Sequence, residues 1–265
     1  MKIGLYANME LPGSLAIARD ASALLSGGDV VEGSTASKLG RKGIELEEMD
    51  ADILLVIGGD GTMLKTFMRT PIPLLGINSG NVGFLTESRK DSLRDVFQRL
   101  REGRYRIEEK LKVSTAVDGV RMPDAVNESV VHSSAIGKVR HFEITVGRNR
   151  VGIVRSDGII VSTPTGSTSY SLSAGGPIVD PSASVIVITP LAPYGISSRP
   201  IVCGADSKIV LKIVGERGCM LVIDGQVEHP LSGGEKLEFS ASASRARFVR
   251  FDHDFYRRIH SKLTG

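Results

Sequence analysis

The segment from Asp52 to Leu64, DILLVIGGDGTML, constrains the fold of this chain more than any other stretch. Ile53 to Ile57 is a run of five apolar residues in which β-branched side chains predominate. Such a run predicts a strand that is buried on both faces, as in a parallel sheet. The glycines that follow allow the backbone to turn sharply and to approach a ligand closely. Because the N–H groups of such a turn favour phosphate, the segment predicts a phosphate-binding loop after a buried strand.

One acid, Asp60, lies among these glycines, and a helix is expected to begin after Thr62. A carboxylate beside a phosphate is electrostatically unfavourable unless a metal offsets its charge or a reacting hydroxyl needs a base. Asp60 is therefore a candidate catalytic base. The alternative is that it serves only as a turn or N-cap residue.

About the first hundred residues alternate strand-like and helix-like patterns, which predicts a parallel sheet covered by helices. The clearest helix pattern is Asp91–Arg101, in which apolar residues repeat at three- and four-residue spacing. Gly103 follows this helix, and Gly27 and Gly28 follow a helix predicted over Ser14–Leu25; a glycine is expected where a helix ends. The other elements predicted in this part are strands over Lys2–Tyr6 and Pro71–Asn78 and a helix over Ser14–Leu25.

Beyond Arg104 the pattern changes to short β-type runs separated by glycines and prolines, which predicts a β-rich region. Near the C-terminus the sequence predicts one more strand, Arg247–Phe251, and a helix, Asp254–Leu263. We therefore expect an α/β domain over residues 1–103, a β-rich domain over 104–245 and a C-terminal segment over 246–265. The strands predicted in the β-rich domain are Leu111–Val117, Phe142–Val146, Ile159–Val161, Val185–Thr189, Ile209–Val214 and Met220–Ile223.

The segment from Arg155 to Pro181 is the second region that is dense in candidate binding groups. Between Ser162 and Ser173, eight of twelve residues carry a serine or threonine hydroxyl, and Tyr170 adds an aromatic face with a polar tip. Such a concentration suits directed hydrogen bonds to a polar ligand. The alternative is a serine- and threonine-rich surface loop. We favour a binding loop because functional residues concentrate on loops that rigid strands hold in place.

A third candidate is the pair Asn127-Glu128. An amide beside a carboxylate can hold a ribose diol, because together the two groups donate and accept hydrogen bonds. Taken alone, such a dipeptide is more typical of a solvated loop.

Composition and charge exclude several classes of function. The net charge of +3 is too small to indicate nucleic acid as a partner. No apolar run reaches the roughly 18 residues that a membrane-spanning helix needs, and the first residues lack the apolar centre of a signal peptide. We expect Cys203 and Cys219 to be buried thiols in a cytoplasmic protein. No set of acids or histidines has the spacing of a dedicated metal site, so a metal is expected to arrive with a nucleotide.

Together these motifs resemble those of the NAD kinase family, whose members phosphorylate the 2′-hydroxyl on the adenosine ribose of NAD to give NADP. GGDGT alone is shared with phosphofructokinases and lipid kinases, whereas the long hydroxyl-rich motif is specific to NAD kinases. The resemblance covers most of the chain, with the motifs in the right order. It rests on GGDGT at Gly58–Thr62, INSGNVGFLTE at Ile77–Glu87, the Asn127-Glu128 pair, DGIIVSTPTGSTSYSLSAGGPI at Asp157–Ile178 and DGQ at Asp224–Gln226.

The resemblance implies a Rossmann-like N-terminal α/β domain and then an all-β-type domain, with the C-terminal segment returning to the first. It also implies a homo-dimer or homo-tetramer. The phosphate donor would be ATP or polyphosphate, and Mg²⁺ or another divalent cation would accompany it.

Residue roles follow from the resemblance position by position. Asp60 matches the family's general base, aimed at the 2′-hydroxyl. Lys65 lies where several relatives have a basic residue near phosphate, although a solvated helix lysine is nearly as typical. The implied donor-binding residues are Gly58, Gly59, Gly61, Thr62 and Lys65. The implied NAD-binding residues are Asp60, Gly61, Asn127, Glu128, Arg155, Asp157, Thr168, Ser169, Tyr170, Ser173 and Gln226.

Two positions depart from the family pattern, and two rival functions stay open. Ser169 stands where most relatives have alanine, and Tyr194 stands where many have histidine. One rival is a lipid or sugar kinase that shares the GGDGT loop, which does not account for the hydroxyl-rich segment. The other is a non-enzymatic nucleotide sensor, which would be expected to lack the acid at position 60.

Overall fold

The computed structural model describes residues 1–80, 83–89, 92–135, 137–195, 198–251 and 255–263. The chain divides into two compact units, Met1–Glu109 with Ala246–Gly265, and Lys110–Arg245. The sequence prediction places these divisions after residues 103 and 245. The chain passes from one unit to the other within the strand Arg106–Val117 and again within the strand Lys236–Arg250.

Unit 1 is built on a parallel sheet with helices, as the alternating pattern predicts. Its sheet has the order β2-β1-β3-β4, and the last part of the strand Lys236–Arg250 pairs with β4 in parallel at Phe248 and Leu74. The strands are β1 (Ile3–Ala7), β2 (Val30–Val31), β3 (Ile53–Ile57), β4 (Leu74–Asn78) and β5 (Ser88–Arg89). The helices are α1 (Ser14–Ala23), α2 (Gly33–Leu39), α3 (Asp60–Arg69) and α4 (Leu93–Arg101).

The apolar patterns of the sequence form the core of this unit. All five residues of β3 are buried, as a strand covered on both faces requires. Helix α4 buries its apolar stripe, Leu93, Val96, Phe97 and Leu100, against the sheet. Burial of one such side chain stabilises the fold by about 1.5–3 kcal/mol.

Two local predictions in unit 1 need correction. The helix expected to begin after Thr62, at Met63, begins three residues earlier, at Asp60, and Gly59 is its N-cap. Helix α2 was not predicted, since its seven residues are too few to show a period. Instead its start is fixed by the Glu32 side chain, which accepts hydrogen bonds from the backbone N–H groups of Ser34 and Thr35.

Unit 2 is β-rich and contains two antiparallel sheets. One has the order β13-β12-β11-β8-β15-β16, and the other runs β10-β9-β14-β17 with β6 and β7 beside it. The strands are β6 (Arg106–Val117), β7 (Val120–Arg121), β8 (Glu128–Ser133), β9 (Arg140–Val146), β10 (Asn149–Ser156), β11 (Gly158–Ser162), β12 (Val185–Leu191), β13 (Ile201–Gly204), β14 (Ile209–Val214), β15 (Cys219–Ile223), β16 (Val227–Leu231) and β17 (Lys236–Arg250). A one-turn helix, α5 (Tyr170–Ser173), follows β11.

The C-terminal segment returns to unit 1, as the fold prediction has it. The predicted strand Arg247–Phe251 is the last part of the longer strand β17, and the final helix is α6 (Phe255–Leu263). Asp254 and His253 lie outside the described residues, as do Asn81, Val82 and Asp91 of the segments discussed above. None of the helices in the described part of the chain combines the length and the apolar character needed to cross a membrane.

Candidate active site

Asp60 is the first residue of α3, and its carboxylate does not cap its own helix. Instead it spans to a loop after β4, where the Phe84 N–H donates to Oδ2 at 2.8 Å and the Leu85 N–H donates to Oδ1 at 3.1 Å. Each carboxylate oxygen therefore has one fixed backbone donor and a remaining lone pair. This arrangement holds the carboxylate in one orientation and leaves it able to accept a proton.

The backbone of Gly83 makes this arrangement possible. A Cβ at Gly83 would lie 1.8 Å from Oδ1 of Asp60, so only glycine leaves room for the carboxylate there. Gly58 is required for a different reason, because a Cβ there would lie 2.5 Å from the Thr62 hydroxyl. We call residues 83–87 the clamp loop, since they hold the Asp60 carboxylate.

The remaining residues of the GGDGT turn divide into two groups. Thr62 is buried, its hydroxyl accepts from the Asn8 amide at 3.1 Å, and its N–H donates to the Gly59 carbonyl, so its groups are engaged within the protein. At Gly59 and Gly61, in contrast, apart from the adjacent residues and the backbone of α3, no atom of the described residues lies within 4 Å of where a Cβ would be. This open space beside the N-terminus of α3 suits the close approach of a phosphate group. Lys65 lies further along α3 with an exposed side chain.

In unit 2 the candidate pair Asn127-Glu128 is organised by Asp224. The Asp224 carboxylate accepts from the backbone N–H groups of Val126 at 2.7 Å, Asn127 at 2.8 Å and Glu128 at 3.0 Å. Burial raises the pKa of Asp224 to about 6, although the three N–H groups lower it. Asp224 lies in the left-handed region at φ 50° in the turn between β15 and β16, a conformation that aspartate tolerates better than most residues. It fixes the backbone from which the Asn127 and Glu128 side chains project.

Glu128 is a buried acid that keeps its proton at neutral pH. Burial, with the charge of Asp224, raises the pKa of Glu128 to about 8, while hydrogen bonds from the Ser169 hydroxyl and the Tyr170 N–H lower it. The Ser169 hydroxyl donates to Oε1 at 3.0 Å. Among the described residues, no partner satisfies Glu128 Oε2 or Asn127 Oδ1, although both atoms are buried. Buried polar atoms normally have partners, so this pair is suited to a polar ligand.

Half of the serine and threonine residues in the hydroxyl-rich segment are buried in the fold. Ser162, Thr163, Ser167 and Ser171 are fully buried. The Thr163 hydroxyl donates to the Val126 carbonyl at 2.6 Å, and the Ser167 hydroxyl accepts from the Val179 N–H at 3.0 Å. A Cβ at Gly166 would lie 2.1 Å from the Asn127 carbonyl oxygen, so this glycine allows the segment to pack closely. The less buried hydroxyl residues are Thr165, Thr168, Ser169 and Ser173. Of these, the Ser169 hydroxyl donates to Glu128 and the Thr168 hydroxyl donates to the Thr165 carbonyl at 3.3 Å.

The other predicted site residues of unit 2 lie at or near its surface. The Tyr170 ring is 47% exposed at the start of α5. The Arg155 guanidinium lies 4.5 Å from the centroid of the Tyr194 ring, a cation–π arrangement that exploits the departure at position 194. Asp157 precedes β11 and is half-buried. Gln226 is half-buried in the same turn as Asp224, and its amide donates to the Asp224 carbonyl at 3.2 Å.

The structure thus assembles two sets of predicted residues, Gly58–Thr62 in unit 1 and Asn127, Glu128 and Ser169 in unit 2. It adds roles that the sequence analysis did not assign, namely those of Gly83, of the Phe84 and Leu85 N–H groups and of the Asp224 carboxylate. These residues lie in the INSGNVGFLTE and DGQ motifs, which the sequence analysis quoted without giving them a role. An aspartate followed by glycine between two β-type runs is a hairpin signal that marks Asp224. The clamp loop lies in the INSGNVGFLTE motif, but nothing in that motif indicates that its backbone N–H groups bind Asp60.

No group of three or more histidine, cysteine, aspartate or glutamate side chains could hold a metal ion, as far as the described residues go. A divalent cation that is bound mainly by the phosphates of a nucleotide fits such a site, because Mg²⁺ commonly keeps to substrate phosphates and few protein ligands.

In unit 1, a strand of a Rossmann-like parallel sheet leads into a glycine-flanked carboxylate that backbone N–H groups hold in place. Unit 2 is β-rich and contains a buried amide–acid pair. Together these features are those of a kinase that acts on a nucleotide. Residues 21–105 match the ATP-NAD kinase N-terminal domain, and residues 126–251 match the ATP-NAD kinase C-terminal domain. The chain belongs to the NAD kinase family. This membership confirms the sequence prediction at the level of the family and does not support the lipid or sugar kinase alternative.

Individual relatives agree with this assignment. The NAD kinase of Methanothermobacter thermautotrophicus is 38% identical over 273 residues, which cover 99% of this chain and 96% of that protein. The NAD kinase of Thermoplasma acidophilum is 40% identical over 235 residues, 88% of this chain and 86% of that protein.

Solved structures share the fold. The yeast NADH kinase complexed with NADH has a TM-score of 0.90 at 22% identity and covers 100% of this chain and 87% of that one. The Archaeoglobus fulgidus NAD kinase in complex with ATP has a TM-score of 0.78 at 24% identity and covers 100% of this chain and 99% of that one.

Proposed function

We propose that this enzyme transfers the terminal phosphate of ATP to the 2′-hydroxyl of the adenosine ribose of NAD, giving NADP and ADP. The observation that carries the proposal is the Asp60 carboxylate, which two backbone N–H groups hold at the N-terminus of α3 in a member of this family. In the reaction, the 2′-oxygen attacks the terminal phosphorus, the bond from phosphorus to the bridging oxygen of ADP breaks, and the hydroxyl proton passes to Asp60.

The chemistry asks mainly for positioning and charge stabilisation. Phosphoryl transfer passes through a loose transition state, so the proton leaves late and Asp60 chiefly orients the hydroxyl. The N–H groups of Gly59 and Gly61 bind the donor phosphates, and Lys65 adds a positive charge near them. The Gly58 N–H does not share this role, because it donates to the Ile77 carbonyl at 2.9 Å. A divalent cation, which we propose to be Mg²⁺, would neutralise charge on the phosphate oxygens. The donor phosphates, rather than a set of protein side chains, would hold it.

The NAD contacts that we propose lie mainly in the β-rich domain, residues 104–245. The protonated Glu128 donates a hydrogen bond and the Asn127 carbonyl accepts one, a combination that suits a ribose diol. Tyr170 packs on the adenosine. Arg155 and Asp157 lie on the nicotinamide side. The further NAD contacts are Gly61, Thr168, Ser169, Ser173 and Gln226.

We also propose that the enzyme acts in the cytoplasm as a homo-dimer or homo-tetramer. Its two cysteines are free thiols, which suits a reducing compartment. Size-exclusion chromatography with light scattering measures the oligomeric state directly.

The activity is tested by incubating the purified protein with NAD, Mg²⁺ and either ATP or polyphosphate. NADP is then measured with an NADP-specific dehydrogenase. Parallel reactions replace NAD with a diacylglycerol or with a sugar phosphate. We expect NADP with ATP and no phosphorylated lipid or sugar. NADP with polyphosphate alone would correct the donor, and absence of NADP with both donors would refute the proposal.

The role of Asp60 is tested by Asp60→Asn, which keeps the shape of the side chain and removes its basicity. We expect turnover to fall by about 10²–10⁴, the usual contribution of a general base, while NAD affinity stays within about tenfold. Steady-state kinetics and a direct NAD titration measure the two quantities. An unchanged turnover would remove Asp60 from the chemistry.

A further inference from the structure

Arg250, near the end of β17, is a buried charge with an unusual set of partners. Its side chain is 10% exposed, and that of its partner Glu87 is 3% exposed. One guanidinium nitrogen donates to Glu87 Oε2 at 2.9 Å and to the Leu85 carbonyl at 3.1 Å. The guanidinium also lies 4.7 Å from the Phe248 ring centroid, and its Nε lies 3.6 Å from Glu108. Leu85 and Glu87, which accept from its Nη1, lie in the clamp loop.

A second contact ties the same loop to the same strand. The Phe251 N–H donates to the other Glu87 oxygen at 2.9 Å, so the Glu87 carboxylate is bonded to the strand through both of its oxygens. The Glu87 N–H donates to the Gly76 carbonyl of β4 at 2.9 Å. The loop is thereby held between β4 and the C-terminal end of β17.

The contacts form a short path from Arg250 to the catalytic carboxylate. Leu85 accepts from Arg250 through its carbonyl and donates to Asp60 through its N–H. Phe84, one residue earlier, donates to the other Asp60 oxygen. A shift of the clamp loop therefore moves both hydrogen-bond donors of the Asp60 carboxylate together.

We infer that Arg250 is a positioning residue for phosphoryl transfer: through Leu85 and Glu87 it sets the clamp loop that aims the Asp60 carboxylate. The inference rests on the proposed role of Asp60. A buried ion pair is a weak source of stability, because desolvation offsets most of its attraction. The Arg250–Glu87 pair contributes instead by fixing the position of the clamp loop. Position matters because misplacing a catalytic group by about 1 Å can lower the rate by about 10².

Two conservative variants break this pair from opposite sides. Arg250→Lys keeps the charge and removes the guanidinium fork, and Glu87→Gln keeps the shape and removes the charge. The matched control is Arg247→Lys in the same strand, whose guanidinium donates to the Pro71 carbonyl and has no part in the clamp loop. Each protein is assayed for kcat, for the KM of NAD and of ATP, and for Tm.

We expect both pair variants to lower kcat by about 10-fold to 100-fold, with each KM within about threefold, because the substrates still bind while the carboxylate is misplaced. The control should keep kcat within about twofold, as surface substitutions usually do. Unchanged kcat in both folded pair variants would overturn the inference. Loss of the folded state in both would also overturn it, because the pair would then be a stability element.

A double-mutant cycle separates this inference from the proposed function. If Arg250 acts through Asp60, Arg250→Lys should lower kcat by less than about threefold in an Asp60→Asn background. The same loss in both backgrounds would mean that Arg250 acts by another route and would overturn the inference alone. An Asp60→Asn variant with normal turnover would instead refute the proposed role of Asp60.

Discussion

At the scale of single residues, the position of the Asp60 carboxylate depends on the missing side chain of Gly83. A methyl group there would occupy the place of Oδ1, from which it would lie 1.8 Å. The far end of an aspartate side chain can rotate away at little cost, so the clash moves the carboxylate and leaves the backbone in place. Gly83 therefore offers a way to displace the base without removing it.

We predict that Gly83→Ala lowers turnover by about 10² and changes Tm by only a few degrees, because it misplaces a catalytic group in an intact fold. Gly27→Ala is the matched control, since no atom of the described chain lies within 4 Å of the Cβ it would add. Kinetics and thermal melting of both variants provide the measurement. Wild-type turnover in Gly83→Ala would show that the clamp geometry is unimportant.

Glu128 makes stability depend on pH with a sign that follows from its raised pKa. The folded protein keeps the Glu128 proton up to about pH 8, whereas the unfolded chain releases it near the ordinary value of 4.5. Between these values the folded state binds more protons, so the free energy of unfolding falls as pH rises. Asp224 adds to this trend between 3.8 and about 6.

We predict that Glu128→Gln removes part of this pH dependence. From about pH 5 to about pH 8, Tm should fall less in the variant than in the wild type, because the neutral amide has no proton to lose. Glu228→Gln, which changes an exposed carboxylate on β16, serves as control. Melting curves at several pH values measure the slopes, and parallel curves for wild type and Glu128→Gln would contradict the burial of a titrating acid.

Helices and strands are predicted correctly from the sequence where the local apolar pattern is strong. The prediction fails where a contact between distant residues determines the structure. β3 is found at its predicted bounds, Ile53–Ile57, because a run of five apolar residues leaves few alternatives. The segment that contains the clamp loop was recognised as a motif, but its role could not be predicted, since that role depends on backbone N–H groups that every sequence carries. Similarly, no sequence pattern indicates which serine and threonine side chains of residues 162–173 are buried.

The hydroxyl-rich segment shows how one element supplies both scaffold and site. Buried hydroxyls such as that of Ser171, 2.9 Å from the Thr189 hydroxyl, fix the turn from β11 to α5. That turn carries Ser169, which donates to Glu128, and Tyr170, whose ring is half exposed. The binding residues that we propose are therefore held by neighbours in the same motif.

We predict that Tyr170→Ala weakens NAD binding by about 1–2 kcal/mol, or roughly 5-fold to 30-fold in Kd, because the exposed ring no longer packs on the adenosine. Tyr170→Phe should bind NAD almost as the wild type does, since it keeps the ring. Calorimetric titration of both folded variants with NAD decides the matter, and equal Kd values for alanine and wild type would count against the pocket assignment.

At the scale of the whole molecule, unit 1 is completed by the far end of the chain. The sequence alone predicted a strand near Arg247, and the family resemblance implied that the C-terminal segment returns to the first domain. Its place beside β4 was not predicted, because strand partners distant in sequence leave no local pattern. The strand buries Ala246, Phe248 and Val249. The Phe248 ring lies 4.6 Å from the ring of Phe67 on α3, the helix that begins at Asp60.

We predict that a chain ending at Arg245 fails to fold, whereas a chain ending at Phe251 folds. The first truncation removes the apolar contacts of Phe248 and Val249, each worth about 1.5–3 kcal/mol. It also leaves Glu87 buried without Arg250, and an uncompensated buried charge costs about 3–5 kcal/mol even though the intact pair adds little. Together these losses approach the usual stability of a domain, about 5–15 kcal/mol. The second keeps the whole strand and removes α6, none of whose described side chains is buried. Soluble yield and a cooperative thermal melt are the readouts. A cooperative melt from the shorter chain would show that unit 1 folds without its last strand. The contacts from Arg250 to Asp60 would then be dispensable for folding, and their role would be confined to catalysis.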